Sequence, residues 1–266
     1  MNQELFNRIA SEVGEHAIQL VHSDDETRSF LGGKPISSGQ LEWPRKDGRP
    51  LGFVGQLDLS ELELTKAAPW LPQSGRILFF YDMEKFPWGD SPTNANGWAV
   101  IHETGEPALS IPFPEDLREF FRMPQRKHLR GREFVCLPSV QRIEYGGHGV
   151  TKVEFHDYEN LIEDSYGESP RHQIGGYPCP IQDDSMEDIC QLVTGGIDCT
   201  DLESVCGPRV DEIRNEANDW KLLLQVDSDE DIDMMWGDAG RLFFWIRERD
   251  ARARNFSKIW IQIQCS

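Results

Sequence analysis

Apolar and polar positions follow two different periods along the chain. Over residues 4–21, Leu5, Ile9, Val13, Ala17 and Leu20 share nearly one stripe of a 3.6-residue repeat, with Glu4, Arg8, Glu12 and Glu15 off it. This predicts an amphipathic helix packed on a sheet. Phe30 to Pro35 reads as a turn, since its glycines allow positive φ and its proline ends local hydrogen bonding. The run LGFVGQLDL, Leu51 to Leu59, predicts a central strand, with Gly52 and Gly55 marking close backbone approach. A short helix or turn follows at Ser60 to Leu64, then strands at Arg76 to Tyr81 and Gly97 to His102. Phe134 to Leu137 and Gln141 to Tyr145 are strand candidates, and Tyr145 to Gly149 reads as a hinge. Beyond it, Asp183 to Ser185 caps a helix through Met186, Ile189, Cys190 and Val193, which Gly195 and Gly196 stop. Pro208 opens a second helix carrying Val210, Ile213 and Ala217. Strands at 220–227 and 240–246 flank an acidic loop. A last strand at 258–264 alternates Ile259, Ile261 and Ile263 with Trp260, Gln262 and Gln264, predicting one apolar and one mixed face.

Three blocks recur in the same order. Gly32-Gly33-Lys-Pro35 returns as Gly175-Gly176-Tyr-Pro178, Gln56-Leu-Asp58 as Gln225-Val-Asp227, and Gly75-Arg-Ile-Leu-Phe79 as Gly240-Arg-Leu-Phe-Phe244. Ordered repetition of this kind points to internal duplication. The expected architecture is a single α+β domain over residues 1–266, built from two similar half-domains of about 1–145 and 150–266. Each is mainly antiparallel strands with helical cover. Gln56 and Gln225 are then expected at equivalent positions on central strands, buried and bonded to backbone.

Charge narrows the choice of partner. Acids number 46 against 27 bases, a net charge of −19, and Ile181 to Asp238 alone holds 17 acids and three bases. Phosphate backbones are repelled by such a chain, which argues against nucleic acid, and the surface suits steering of a basic protein or holding a cation. The basic stretch from Arg118 to Arg132, with Arg122, Arg126, Lys127 and Arg130 inside it, reads as a connecting segment lying against the protein's own acidic half. No run approaches the roughly 18 apolar residues of a membrane span, and the N-terminus lacks the basic-then-apolar pattern of a signal peptide, so a cytoplasmic location is expected. There the six cysteines would be reduced.

Candidate chemistry is sparse. Asp227, Asp229, Asp231, Asp233 and Asp238 imitate a calcium loop, but Ile232 stands where the turn wants glycine and the last ligand is not Glu. Cys179, Cys190, Cys199 and Cys206, with His172 nearby, lack paired zinc-ligand spacing. None of the seven histidines sits in a motif pairing a base with a nucleophile. Trp88-Gly-Asp90 and Trp236-Gly-Asp238 suit either a recognition edge or a corner. No catalytic, cofactor-binding or metal-ligating residue is assigned. The candidate binding surface is Asp229, Glu230, Asp231, Asp233, Trp236 and Asp238, with Trp88 and Asp90.

The three blocks, together with Trp43-Pro44, Pro50-Leu51 and Leu71-Pro72, resemble the YwqG-like proteins, the DUF1963 domain, from about residue 28 onward. The resemblance implies a cytosolic bacterial α+β domain with internal duplication, and for some members an immunity role against toxins. It brings no functional residues with it. The leading expectation is a non-enzymatic cytoplasmic binding protein, an immunity or antitoxin-like partner of a basic protein. The alternative is a ligand-binding or hydrolytic enzyme with a carboxylate-lined site between the halves.

Overall fold

The computed structural model describes residues 2–39, 41–119, 123–146, 155–167, 170–201 and 203–266. Ten strands make one antiparallel sheet: β1 (Glu15–His22), β2 (Phe30–Leu31), β3 (Gly52–Asp58), β4 (Arg76–Tyr81), β5 (Trp98–Glu103), β6 (Lys127–Cys136), β7 (His172–Ile174), β8 (Trp220–Asp227), β9 (Arg241–Arg247) and β10 (Trp260–Gln264). Their spatial order is β10-β9-β8-β7-β1-β6-β2-β3-β4-β5. The helices are α1 (Gln3–Val13), α2 (Leu64–Ala67), α3 (Val140–Gly146), α4 (Phe155–Tyr166), α5 (Met186–Thr194), α6 (Pro208–Arg214) and α7 (Glu248–Arg252). None of the described helices is long and apolar enough to cross a membrane.

The sheet curls until it nearly closes into a barrel. Its edges β5 and β10 do not pair, yet the Trp98 and Trp260 rings meet edge to face at 4.8 Å and Trp98 Nε1 donates to the Ile259 carbonyl at 3.0 Å. The segment after β4 covers the remaining gap, where the Gly89 carbonyl accepts from both Trp260 Nε1 and Gln262 Nε2 at 2.6 Å. Phe79 and Phe244 face each other at 5.0 Å between the two flanks. The apolar interior is therefore continuous from flank to flank.

On both flanks the first hairpin carries the same irregularity. Phe53 opposes Phe80 and Gly55 opposes Phe79, with Val54 bulged between them; Leu222 opposes Trp245 and Leu224 opposes Phe244, with Leu223 bulged. Gln56 and Gln225 follow the bulges and are buried. Gln56 accepts from Ile36 N at 2.8 Å and donates to the Arg28 carbonyl at 2.9 Å. Gln225 accepts from Cys179 N at 2.8 Å and donates to the Arg171 carbonyl at 2.6 Å. Each amide thus satisfies backbone groups that the local strand pairing leaves over.

Several expectations need correction. The helix read over 4–21 stops at Val13, where the backbone turns extended at Gly14, a position with no room for a side chain, which would lie 2.6 Å from the Ala10 carbonyl and the Val135 side chain. Residues 15–22 are instead a strand paired along its whole length with β6, at the centre of the sheet. Ala17, Ile18 and Leu20 are buried together because both faces of β1 are covered, and a doubly buried strand loses the period of two. Of the basic stretch, Lys127, Arg130 and Arg132 lie in β6 rather than in a connector and Arg132 bonds Gln19 of β1, while Arg122 lies outside the described residues. Gln141 to Tyr145 is helical, and Phe30 and Leu31 are a strand rather than part of a turn. Of the expected hinge, residues 145 and 146 end α3, and 147–149 lie outside the described residues. β10 is buried on both faces, its Gln262 and Gln264 being bonded to Gly89 and Asp183 carbonyls. The strands of both expected halves lie in one sheet.

Candidate functional site

A cleft of about 830 Å³ lies at the Trp220 end of the β8–β9 hairpin. Trp220, Leu222 and Trp245 form its floor, Gly175 to Tyr177 one wall and Ala67 to Trp70 another. The glycine pair is needed for this closeness. Gly175 and Gly176 adopt φ of +68° and +63°, and side chains there would come within 2.5 Å of the Ala67 carbonyl and 2.4 Å of Cys136 Sγ.

The rim is acidic. It gathers Glu15, Asp183, Asp184, Glu187, Asp188 and Glu248 against only Arg142 and Lys221. Asp183 bonds the N–H and hydroxyl of Ser185, which sets the entry to α5, and Glu187 and Asp188 in the first turn of α5 sit where the helix dipole favours negative charge. Arg142, projecting from α3, spans Asp184 and Glu187: its Nε lies 3.0 Å from Asp184 Oδ2, and Nη1 and Nη2 lie 2.9 and 3.0 Å from the two Glu187 oxygens. Burial works against the guanidinium charge, but the two carboxylates outweigh it and raise the Arg142 pKa. One cation serves two anions here. Burial accordingly holds Glu187 above the usual carboxylate range despite Arg142, and it does the same to Asp188 despite Arg214 at 3.4 Å.

At the opposite end of the same hairpin lies the acidic loop between β8 and β9. Glu230, Asp231, Asp233 and Asp238 are exposed, as a binding surface requires. Asp229 and Trp236 are buried, which corrects their assignment to that surface. Trp236 packs edge to face on Tyr81 at 5.8 Å, because the loop turns inward and inserts Ile232, Met234 and Trp236 into the core. Trp88 remains 44% exposed and Asp90 is half-buried. Both Trp-Gly-Asp segments dock on the C-terminal end of the chain, with Ile263 N donating to the Trp88 carbonyl and Ser266 N to that of Asp238.

Asp229 joins His22 and His172 in a group whose ligand atoms all lie within 4.8 Å, close enough to hold a metal ion. The hydrogen bonding opposes that use. His172 Nδ1 accepts from Asp227 N at 3.1 Å, which places its proton on Nε2, facing Asp229 Oδ2 at 3.4 Å. A metal on Nε2 would have to displace that proton while a backbone donor occupied the other nitrogen. His22 bridges Asp229 at 2.8 Å and Asp231 at 3.3 Å. The trio is thus a clasp tying the acidic loop to β1 and β7. Burial raises the Asp229 pKa, but the bonds from His172 and His22 prevail and hold it below the usual carboxylate range.

Sequence reasoning passed over the cleft. The Gly-Gly turn and the acids near α5 were visible, but Glu15, Trp70, Arg142, Trp220 and Trp245 come from separate segments with no shared spacing. An unusual number of tryptophans, eight in all, was the one available signal. No curated protein matches the chain. Residues 29–265 match the family model described as a domain of unknown function, DUF1963, and the chain belongs to that family.

Proposed function

We propose that this chain is a non-enzymatic cytoplasmic binding protein whose acidic cleft receives a cationic group of a basic partner, in the manner of an immunity or antitoxin-like protein. The observation that carries the reading is the cleft itself, where six carboxylates face two bases beside Trp70 and Tyr177. Aromatic faces and carboxylates together suit an ammonium or guanidinium on an alkyl stem. Glu230, Asp231, Asp233 and Asp238, at the far end of the hairpin, add long-range attraction that speeds encounter and weakens with salt. Nucleic acid and membrane are not the partners this charge favours. A hydrolytic role would need a free acid or base; of the two raised carboxyls in the cleft, Glu187 has both oxygens held by Arg142 and Asp188 meets Arg214 at 3.4 Å.

Internal duplication belongs to the same proposal. It is supported by the mirrored strand order on either side of β1 and β6, by the bulges at Val54 and Leu223, and by the like bonding of Gln56 and Gln225.

The binding reading is tested by calorimetric titration with a lysine-rich peptide. The triple variant Glu15→Gln, Asp188→Asn, Glu248→Gln should weaken binding at least tenfold. Glu230→Gln, Asp231→Asn, Asp233→Asn should mainly slow association. Loss of affinity in the second variant alone would place the partner on the loop and remove the cleft from the account.

A further inference from the structure

The ring of His22, the last residue of β1, meets a carboxylate at each of its nitrogens. Nε2 lies 2.8 Å from Asp229 Oδ2, and Nδ1 lies 3.3 Å from Asp231 Oδ2. A neutral imidazole carries one N–H, and only the imidazolium donates from both nitrogens. Both bonds therefore coexist only while His22 carries two protons. The two carboxylates differ in what else holds them. Asp229 is buried, its Oδ1 accepts from Asp231 N at 3.1 Å and its Oδ2 also faces His172 Nε2 at 3.4 Å. Asp231 has a side chain 67% exposed, and His22 is its only side-chain partner among the described residues.

His172 lacks the same freedom. Its Nδ1 accepts from Asp227 N at 3.1 Å, so a second proton on this fully buried ring would break a bond between β7 and β8. The groups facing His22 among the described residues are Asp229 and Asp231 from the acidic loop and His172 from β7, with ring centroids 6.2 Å apart; on β6 the residue opposite is the apolar Leu129. Burial opposes charge on Asp229, yet the bonds from His172 and His22 hold its pKa below the usual carboxylate range, so it is ionised wherever histidine titrates.

We propose that His22 is a proton-operated latch on the acidic loop: with two protons it holds Asp231 beside Asp229, and on losing one as pH rises it keeps Asp229 and releases Asp231. The sign follows from the ring. Neutral His22 leaves its proton on Nε2 for the shorter, buried bond, and Nδ1 then turns a lone pair toward Asp231 Oδ2 and repels it. Asp231 sits in the single turn Glu230–Ile232, whose Ile232 is anchored in the core, so release acts on the exposed side of that turn. Histidine is the side chain that changes charge between about pH 5 and 8, the range in which the latch is to be sought. It concerns the loop alone and stands whether or not the cleft receives a cation.

The test is an NMR titration of the full chain from about pH 5 to about 8.5, following the His22 ring protons, the side-chain carboxyl carbons and amide exchange. The Asp231 carboxyl should shift together with the His22 ring, in a range where a lone carboxylate is already ionised, while the carboxyl of Glu230 should not. Exchange at the Asp231, Ile232 and Asp233 amides, corrected for its intrinsic pH dependence, should quicken several-fold across the same step. His22→Gln, which keeps one donor for Asp229 and has no proton to gain, should abolish both changes. Asp231→Ala, at an exposed side chain, should leave the loop at the faster exchange rate throughout. An Asp231 carboxyl that stays flat while His22 titrates, or a pH step in exchange that survives in either variant, overturns the latch.

Discussion

On one flank of the sheet Phe53 and Phe80 face each other across the β3–β4 hairpin beneath Trp43, whose ring meets Phe80 at 5.3 Å and whose Nε1 donates to the Leu51 carbonyl at 2.9 Å. On the other, Leu222 and Trp245 hold the same places on β8–β9, are buried as well, and border the acidic cleft. The hairpins bend alike because each carries one bulge and one buried glutamine. What differs is the segment between the Gly-Gly turn and the hairpin. Residues 34–51 are short and fold Trp43 straight back over the ring, while residues 177–219 are long enough to build α5 and α6 and leave a rim instead of a lid. The same hairpin lies under a ring on one side and beside an acidic cleft on the other.

The largest expected difference lies in the packing. Phe80→Ala should cost about 3–5 kcal/mol in urea unfolding, since it empties a core shared with Phe30, Leu51 and Phe53. Trp245→Phe should cost clearly less, about 1–2 kcal/mol, because it keeps most of the ring and deletes an unpaired donor. Equal losses would mean that the Trp245 indole makes contacts that a phenyl ring cannot replace.

Both glutamines should behave alike. Gln56→Leu and Gln225→Leu each leave a backbone N–H and a carbonyl unpaired and should each cost about 1–3 kcal/mol. A large inequality between them would break the equivalence of the flanks.

On the other flank the position matching Asp229 is Ser60, whose hydroxyl bonds Asp58 and Arg28 and makes no such clasp. Because the Asp229 pKa is lowered on folding, its contribution is complete above the ordinary carboxylate pKa and is lost as pH falls through the depressed value. Asp229→Asn should therefore destabilise at neutral pH by about 1–3 kcal/mol and flatten the acid limb of the stability–pH curve. Unfolding midpoints measured in steps from neutral to acid pH check this. The exposed Glu230→Gln should change stability by less than about 0.5 kcal/mol, the smallest effect expected.

How much of this could be read in advance depends on distance along the chain. Gln56 and Gln225 were legible because each sits in a compact repeated block whose bonding partners are also repeated. The helix at Met186 and the strands at Arg76, Trp220 and Arg241 declared themselves through glycines and apolar runs, although Ser185 makes no side-chain capping bond. β1 was misread because Ala17 and Leu20 happen to extend the stripe of α1, and only burial on both faces reveals a central strand. Trp236 looked like a surface residue because its neighbours Asp233 and Asp238 are exposed, yet the loop alternates charged residues outward with Ile232, Met234 and Trp236 inward. The cleft was hidden for a further reason: it joins Glu15, Trp70, Arg142 and Trp245 by folding alone.

The most direct measurement is a nitrogen–proton spectrum of the eight tryptophan indoles during titration with the lysine-rich peptide. Trp245 and Trp70 should shift together while Trp43 and Trp98, closed into the scaffold, stay still. Movement of Trp88 or Trp236 with Trp245 unchanged would place binding at the acidic loop and contradict the claim that the open flank is the site.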